Sequence, residues 1–306
     1  MKRILILGGT GFVGRHICTR LSQAGWSAIV PSRSPAAARH LAGLPRVDVV
    51  PGDVHDEATL IRLLAGADAV VNLVAILHGS EAAFEQVHVE LPKKLARACA
   101  AAGVRRLVQI SALGAALDGP SMYQCSKARG EAVLHTQAAA GILDLTVLRP
   151  SVIFGAQDKF LNVFAQLQRM FPLIPLAGAD TRFQPVWVED VAAAVMRCLQ
   201  DDATIGQTFE ACGPEVFTLR DLVRLAGQYA GVNQGRGRAV FALPMPLARV
   251  QAWVMERLPG EPLMSGDNLD SMALDNIASG KVPGLDALGI TPAALAAIAP
   301  GYLRKR

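Results

Sequence analysis

Short apolar runs alternate with longer amphipathic stretches through the first half of the chain. Residues 4–7, 28–31, 47–50, 69–74 and 107–110 are mainly apolar and rich in Val and Ile, and each is followed by a polar or Gly/Pro break. Runs of this length predict strands, and their near-continuous apolar character predicts burial on both faces. Between them, residues 14–24, 57–64 and 92–102 are rich in Ala, Leu and Arg and predict helices. Leu145-Thr146-Val147-Leu148, ahead of Arg149-Pro150, predicts a sixth strand. This βαβα alternation predicts an α/β fold with a doubly wound parallel sheet and right-handed crossovers.

The pattern loosens after Pro150. Val186-Trp187-Val188 predicts a strand, residues 189–199 a helix, and Thr208-Phe209-Glu210 another strand. Thr218 predicts a helix N-cap with Asp221 at N3, a weak capping box. From about Phe241 onward only helices and loops are expected. The expected division is residues 1–155, with a return segment at 183–212, as the sheet domain. Residues 156–182 and 213–306 make a smaller, mostly helical C-terminal domain that would carry the substrate site or a lid. Leu247, Val250, Val254 and Leu258 recur at helical spacing, with Trp253 beside them and Arg249 and Arg257 between. Such a stripe is first expected to pack on its own domain. A lid over a hydrophobic substrate, or a docking face for a membrane or partner, is the alternative.

Composition narrows the class. About half of the residues are apolar and the net charge is only +4, without a basic stripe interleaved with aromatics, so no nucleic-acid partner is expected. The basic end, Arg304-Lys305-Arg306, reads as a solvated tail. Five cysteines (Cys18, Cys99, Cys125, Cys198 and Cys212) are far apart and form no C-x-x-C, which points to reduced thiols and a cytoplasmic location. The six histidines show no ligand spacing, and no metal is expected. No stretch approaches the length of a membrane span.

Two motifs bring in chemistry. Gly8-Gly9-Thr10-Gly11-Phe12-Val13-Gly14 follows the first predicted strand and opens the first helix. Glycines at this spacing make a tight turn, admit a pyrophosphate to the backbone and let helix and sheet pack closely, so a dinucleotide site of Rossmann type is expected. An acid some 20 residues on would bind a ribose 2′-OH, yet no Asp or Glu occurs before Pro45. The second strand ends instead at Ser32-Arg33, which suits a 2′-phosphate and favours NADP(H) over NAD(H). Asp53-Val54, after the third strand, would face the adenine. The second motif is Tyr123-Gln124-Cys125-Ser126-Lys127, preceded by Ser111 at the end of the fifth strand. Tyr123 and Lys127 share a helix face. An ammonium beside the phenol would draw its pKa down and make Tyr123 an acid/base, with Ser111 orienting the reacting oxygen. Cys125, between them, reads as a bystander.

The chain resembles the extended or atypical short-chain dehydrogenase/reductases of the NAD(P)-binding epimerase/dehydratase superfamily. The residues that carry this are Gly8 to Gly14, Asp53-Val54, Asn72 through Ala75, Ser111, Tyr123, Lys127 and Arg149 through Gly155. Within it the chain is similar to the branch of the 39 kDa accessory subunit of respiratory complex I. That likeness lies in residues 181–191, in Leu258-Pro259-Gly260 continuing to Asp267-Asn268-Leu269, and in Asp275-Asn276 with Leu288-Gly289-Ile290. The resemblance implies a Rossmann-type sheet and a Ser111–Tyr123–Lys127 catalytic set. It implies a cofactor held by Gly8, Thr10, Gly11, Phe12, Val13, Gly14, Ser32, Arg33, Asp53, Val54, Val74, Ala75, Lys127, Pro150 and Val152. Two functions follow: an NADP(H)-preferring oxidoreductase or epimerase acting on a small molecule, hydrophobic or quinone-like, or a non-catalytic NADPH-holding assembly protein. Respiratory-complex association, a peripheral place at the inner face of a membrane, and a homodimer belong to the same expectations. A sugar-nucleotide substrate would need cations for its diphosphate, and Arg182 is one candidate.

Overall fold

The computed structural model describes residues 2–257, 260 and 262–304. Its central sheet has seven strands: β1 (Arg3–Leu7), β2 (Ser27–Ser32), β3 (Val47–Pro51), β4 (Ala69–Asn72), β5 (Arg106–Ile110), β6 (Asp144–Pro150) and β7 (Thr208–Ala211). Their order is β7-β6-β5-β4-β1-β2-β3, and every pairing is parallel. The doubly wound parallel sheet is therefore as the alternation predicts. All of β4 and residues 4–7 of β1 are buried. Only β3, at an edge, is half exposed, which is why it tolerates Asp48. The run at 69–74 stops as a strand at Asn72, because Asn72 Oδ1 accepts from Val74 N–H (3.2 Å) and turns the chain out of the ladder.

Helices cover both faces. On one, α1 (Phe12–Gln23) buries Ile17 and Leu21 in the core that also takes Val191 and Val195. On the other are α2 (Glu57–Leu64) and a long helical stretch made of α3 (Glu81–Glu85), a π-turn at Gln86–Glu90 and α4 (Leu91–Ala102). That face is completed by α5 (Met122–Ala139), and its core joins Leu60, Leu95 and Leu134. A third core, around Phe154, Leu222 and Leu295, is built beyond the sheet by α6 (Leu161–Met170), α8 (Leu219–Tyr229) and α11 (Leu295–Leu303). The chain returns to the first face through α7 (Val188–Gln200), which carries Val191 and Val195. The remaining helices are α9 (Met245–Met255) and α10 (Gly266–Ser271).

Two expectations for the C-terminal part change. Ala239–Ala242 is a strand, paired in parallel with Leu173–Leu176, where only helices and loops were expected after Phe241. The stripe on α9 faces out. Ala248 and Ala252 are the buried face, packed with Ala177 and Leu269, while Leu247, Val250, Trp253 and Val254 are exposed. Two alanines one turn apart leave a narrow face that seats closely against a neighbour, and this turns the larger residues to the far side. Leu258 and Pro259, and Lys305 and Arg306 of the basic tail, lie outside the described residues. The Thr218–Asp221 capping box forms in both directions (3.1 and 3.2 Å).

Candidate active site

The sheet order reverses between β1 and β4, so the chain leaves these strands toward opposite faces and a crevice opens beyond their C-terminal ends. The glycine turn sits there. Gly8 has φ +79°, a left-handed conformation that glycine adopts freely, and a methyl on it would stand 3.2 Å from the Leu73 carbonyl carbon. A methyl on Gly14 would lie 2.5 Å from Gly9 Cα. Gly11 caps α1 with no side-chain hydrogen bond, and no acid stands in the first turn. A cradle that any Cβ would fill, opening onto a bare helix start, fits a pyrophosphate. Thr10 flanks the turn, Phe12 lies against Gly155, and Val13 packs into the first core.

An open cleft of ≈ 250 Å³ continues from this turn toward β2 and β3. It brings together the expected Gly8, Thr10, Ser32, Arg33, Val54 and Val74, and adds Pro31, Ser34, Gly52 and His55. Ala75, Pro150 and Val152 do not line it. Asp53 does not line it either, but its Oδ1 accepts from His55 N–H (3.0 Å) and holds the turn that brings Val54 and His55 to the cleft. Ser32 Oγ donates to Ser34 O (2.8 Å) and so fixes the loop that bears Arg33. Burial holds His55 below the ordinary imidazole range; the Lys94 and Arg33 charges push the same way and Asp53 opposes them. Its Nδ1 is buried with no hydrogen-bond partner.

The Tyr123–Lys127 pair lies at the end of β5. Ser121 Oγ accepts from Gln124 N–H (3.2 Å) and starts α5, which places the two residues one turn apart. Lys127 is 4 % exposed and its Nζ donates to Ile110 O (2.9 Å). Ile110 O also accepts from Gln109 Nε2 (3.0 Å), and Gln109 Oε1 accepts from Asn72 Nδ2 (2.9 Å). The ends of β4, β5 and α5 are thus tied by one run of hydrogen bonds. Ser111 follows directly, and its Oγ is buried without a partner. An orphaned buried hydroxyl costs about 1–3 kcal/mol, so its place at this mouth is a mark of a site that expects an acceptor. Burial lowers Lys127 to about 8, while Glu131 one turn on pulls it upward. Burial raises Tyr123 to about 12. Cys125 Sγ points to Gly119 O (3.1 Å), as a bystander would.

Two residues that the sequence left aside hold this helix. Ile76 N–H donates to His88 Nε2 (3.1 Å), so Nδ1 carries the proton and donates to Ser126 Oγ (2.8 Å), which in turn donates to Tyr123 O (2.9 Å). Burial first, and the Lys127 charge second, drop His88 to about 3, and it stays neutral. The π-turn that carries His88 meets α5 at backbone contact, because any side chain at Gly130 would strike the His88 carbonyl. Asp267, from α10, accepts from Met122 N–H (2.6 Å) and Tyr123 N–H (3.1 Å). Asp267 stood within a stretch read as family likeness; a lone polar residue in an apolar strand was the only signal for Gln109, and His55 and His88 had none. Arg182, the cation considered for a diphosphate, is paired with Asp275 (2.7 Å).

Strand order, switch-point crevice and glycine turn define a Rossmann-type α/β protein. More narrowly, the chain belongs to the NAD dependent epimerase/dehydratase family, whose sequence profile matches residues 4–212. It is 30% identical over 304 residues to the mitochondrial NADH dehydrogenase [ubiquinone] 1 alpha subcomplex subunit 9 of Arabidopsis thaliana, covering 94% of this chain and 73% of that one. It is 29% identical over 194 residues to the ceramide reductase of Caulobacter vibrioides, covering 63% of this chain and 59% of the relative. In fold it is similar to DesIV, a dTDP-glucose 4,6-dehydratase from Streptomyces venezuelae solved with NAD bound (TM-score 0.77, 21% identity, 98% and 95% of the two chains).

Proposed function

We propose that the chain is an NAD(P)(H)-dependent oxidoreductase or epimerase of the short-chain dehydrogenase type, working through Ser111, Tyr123 and Lys127 and preferring NADP(H). The observation that carries this reading is the unpartnered, buried Ser111 Oγ next to the carbonyl that anchors Lys127. The nicotinamide, when bound, supplies or accepts the hydride. Ser111 Oγ–H donates to the reacting oxygen and orients it. Tyr123 gives the proton to a carbonyl or takes it from an alcohol. Burial alone leaves the phenol at about 12, too high for a base at neutral pH. Lys127, near 8, is largely charged at pH 7, and its charge together with that of an oxidised nicotinamide would draw the phenol down in the reacting complex. The glycine turn and the N-terminus of α1 hold the pyrophosphate. Ser32, Arg33 and His55 line the cleft where a 2′-phosphate would sit, which supports NADP(H). The substrate proposed is a small hydrophobic or quinone-like molecule; the name of the ceramide reductase relative supports that class, and the engagement of Arg182 by Asp275 weighs against a sugar diphosphate.

The test starts with mass spectrometry of any co-purified nucleotide. NADPH is then followed under single-turnover conditions with ketones, quinones and sugar nucleotides, with product analysis in case the cofactor is recycled internally. Turnover that falls about 10²–10⁴-fold in Tyr123→Phe, with NADPH binding kept, supports the enzyme. A second reading, an NADPH-holding assembly protein attached to a respiratory complex, is favoured by the 30% identity to subunit 9. Tight NADPH retention with no product and no effect of Tyr123→Phe would select it.

A further inference from the structure

The cleft beyond the glycine turn has the make-up of an anion site. Thr10, Ser32, Arg33, Ser34 and His55 are among its described lining residues, and no acid is. The wall drawn from residues 8–34 has none to offer, since the first acid of the chain is Asp48. The acids next to His55 in sequence are engaged. Asp53 accepts from the His55 N–H (3.0 Å), Asp56 Oδ2 from Thr59 Oγ1 (2.6 Å), and Glu57 is paired with Arg97 (2.6 Å).

His55 is held in place by its backbone. Its N–H is spent on Asp53, and its carbonyl accepts from Lys94 Nζ of α4 (2.7 Å). The ring takes no part in these bonds, and its Nδ1 is buried with no partner. A buried polar atom without a partner carries a cost that an incoming acceptor removes. Burial keeps the ring neutral; Asp53 pulls against it, and the Lys94 and Arg33 charges reinforce it. A phosphate monoester beside Arg33 would reverse that balance. It brings about −1.5 to −2 charge at neutral pH and three acceptor oxygens. An anion within contact range favours the imidazolium over the neutral ring.

We propose that His55 discriminates between the two nicotinamide dinucleotides by taking a proton from solvent as a 2′-phosphate binds, so that an imidazolium joins Arg33 in holding it. Arg33 supplies a permanent charge, and His55 adds a second only in the complex. The added affinity is fully present below the pKa of the free ring and is lost as the pH rises through the higher value in the complex. The preference for NADPH over NADH therefore strengthens as the pH falls through neutrality. This rests on the dinucleotide reading of the cleft and not on any turnover.

The test is calorimetric titration of the full chain with NADPH and with NADH, near neutral pH, in two buffers of different ionisation enthalpy. NADH has every group of NADPH except the phosphate, so protons exchanged elsewhere, at Lys127 for one, cancel in the difference. NADPH should take up about half a proton more than NADH. The NADPH-to-NADH affinity ratio should fall about five- to tenfold from about pH 6.5 to about pH 8.5. His55→Asn should abolish the extra proton and weaken NADPH binding about tenfold more than NADH binding. The Asp53 and Lys94 bonds go to the backbone, so the melting temperature of the variant should hold. His55→Lys sets a permanent charge at the same place. It should keep the preference for NADPH without the proton uptake, a result that a merely structural histidine would not give. Equal proton uptake with both dinucleotides, or an affinity ratio that is flat with pH and indifferent to His55→Asn, overturns the inference and leaves the dinucleotide site standing. Binding of neither dinucleotide overturns the reading of the cleft, and the inference with it.

Discussion

At Gly14 one atom decides whether the phosphate cradle can close. A methyl there would meet Gly9 Cα at 2.5 Å, and both partners are backbone, so neither can swing aside. Gly14→Ala should cost about 1–3 kcal/mol of stability and weaken NADPH binding at least tenfold, as read by denaturant melts and calorimetric titration. Lys127 offers a test through pH. Its folded value near 8 lies below the 10.5 of a free lysine. Below about 8 both folded and unfolded chains hold the proton; between 8 and 10.5 the unfolded chain holds more, so stability rises with pH across that window. Lys127→Met removes the cost of the buried charge. The variant's melting temperature relative to the parent should therefore be highest near pH 7.5 and decline toward about pH 10. An offset that stays flat would remove the buried ammonium from the argument. Gly14, Tyr123 and Lys127 were legible as residues because their spacing along one turn or one helix encodes their geometry. Gln109 was not, since its partner Asn72 comes from another strand, and neither was His55, whose place in the cleft depends on loops that follow other strands.

The element that most defines the candidate site is α5, and its start is held by two chains of very different sequence distance. Ser121 caps Gln124 locally, while Asp267 arrives from α10 to take the Met122 and Tyr123 N–H groups. Those are the free donors of a helix start, where a carboxylate is favoured by the helix dipole. Burial raises the Asp267 pKa, and the two N–H bonds pull it back down. Asp267→Ala should cost about 1–2 kcal/mol. Hydrogen exchange at the Met122 and Tyr123 amides should speed up with it, while the Gln124 amide stays protected. Equal protection in the variant would show that α10 does not hold the helix start. The elements themselves were largely readable: strands from apolar runs, the Thr218 start from its cap. What escaped was pairing, as with Ala239–Ala242, whose partner Leu173–Leu176 is remote along the chain. The direction of α9 escaped too, because apolar periodicity locates a stripe without saying which side another element covers.

In the whole molecule, the two ends of the candidate crevice answer to different parts of the chain. Asp267 and Asn276 reach back from the C-terminal segment, the latter accepting from Ser151 Oγ (2.6 Å). The cleft around Arg33 belongs to the glycine turn and to the segments at the ends of β2, β3 and β4. A ligand that binds only the folded chain stabilises it by about 2.7 kcal/mol at 100 times its Kd, enough to move the melting temperature by several degrees. NADPH should raise that temperature more than NADH at equal concentration, and Arg33→Ala should erase the difference. Equal shifts in the parent chain would remove the 2′-phosphate preference. The sequence alone determined the alternation of strand and helix, the glycine turn at the first crossover and the Tyr–Lys spacing, because each is written in near neighbours and in a period. The strand order that makes the crevice, the neutral His88 bridge, the Asp267 cap and the outward face of α9 were decided only by tertiary structure. Each depends on which remote surface arrives to cover a donor, an acceptor or an apolar side chain, and local patterning does not carry that information.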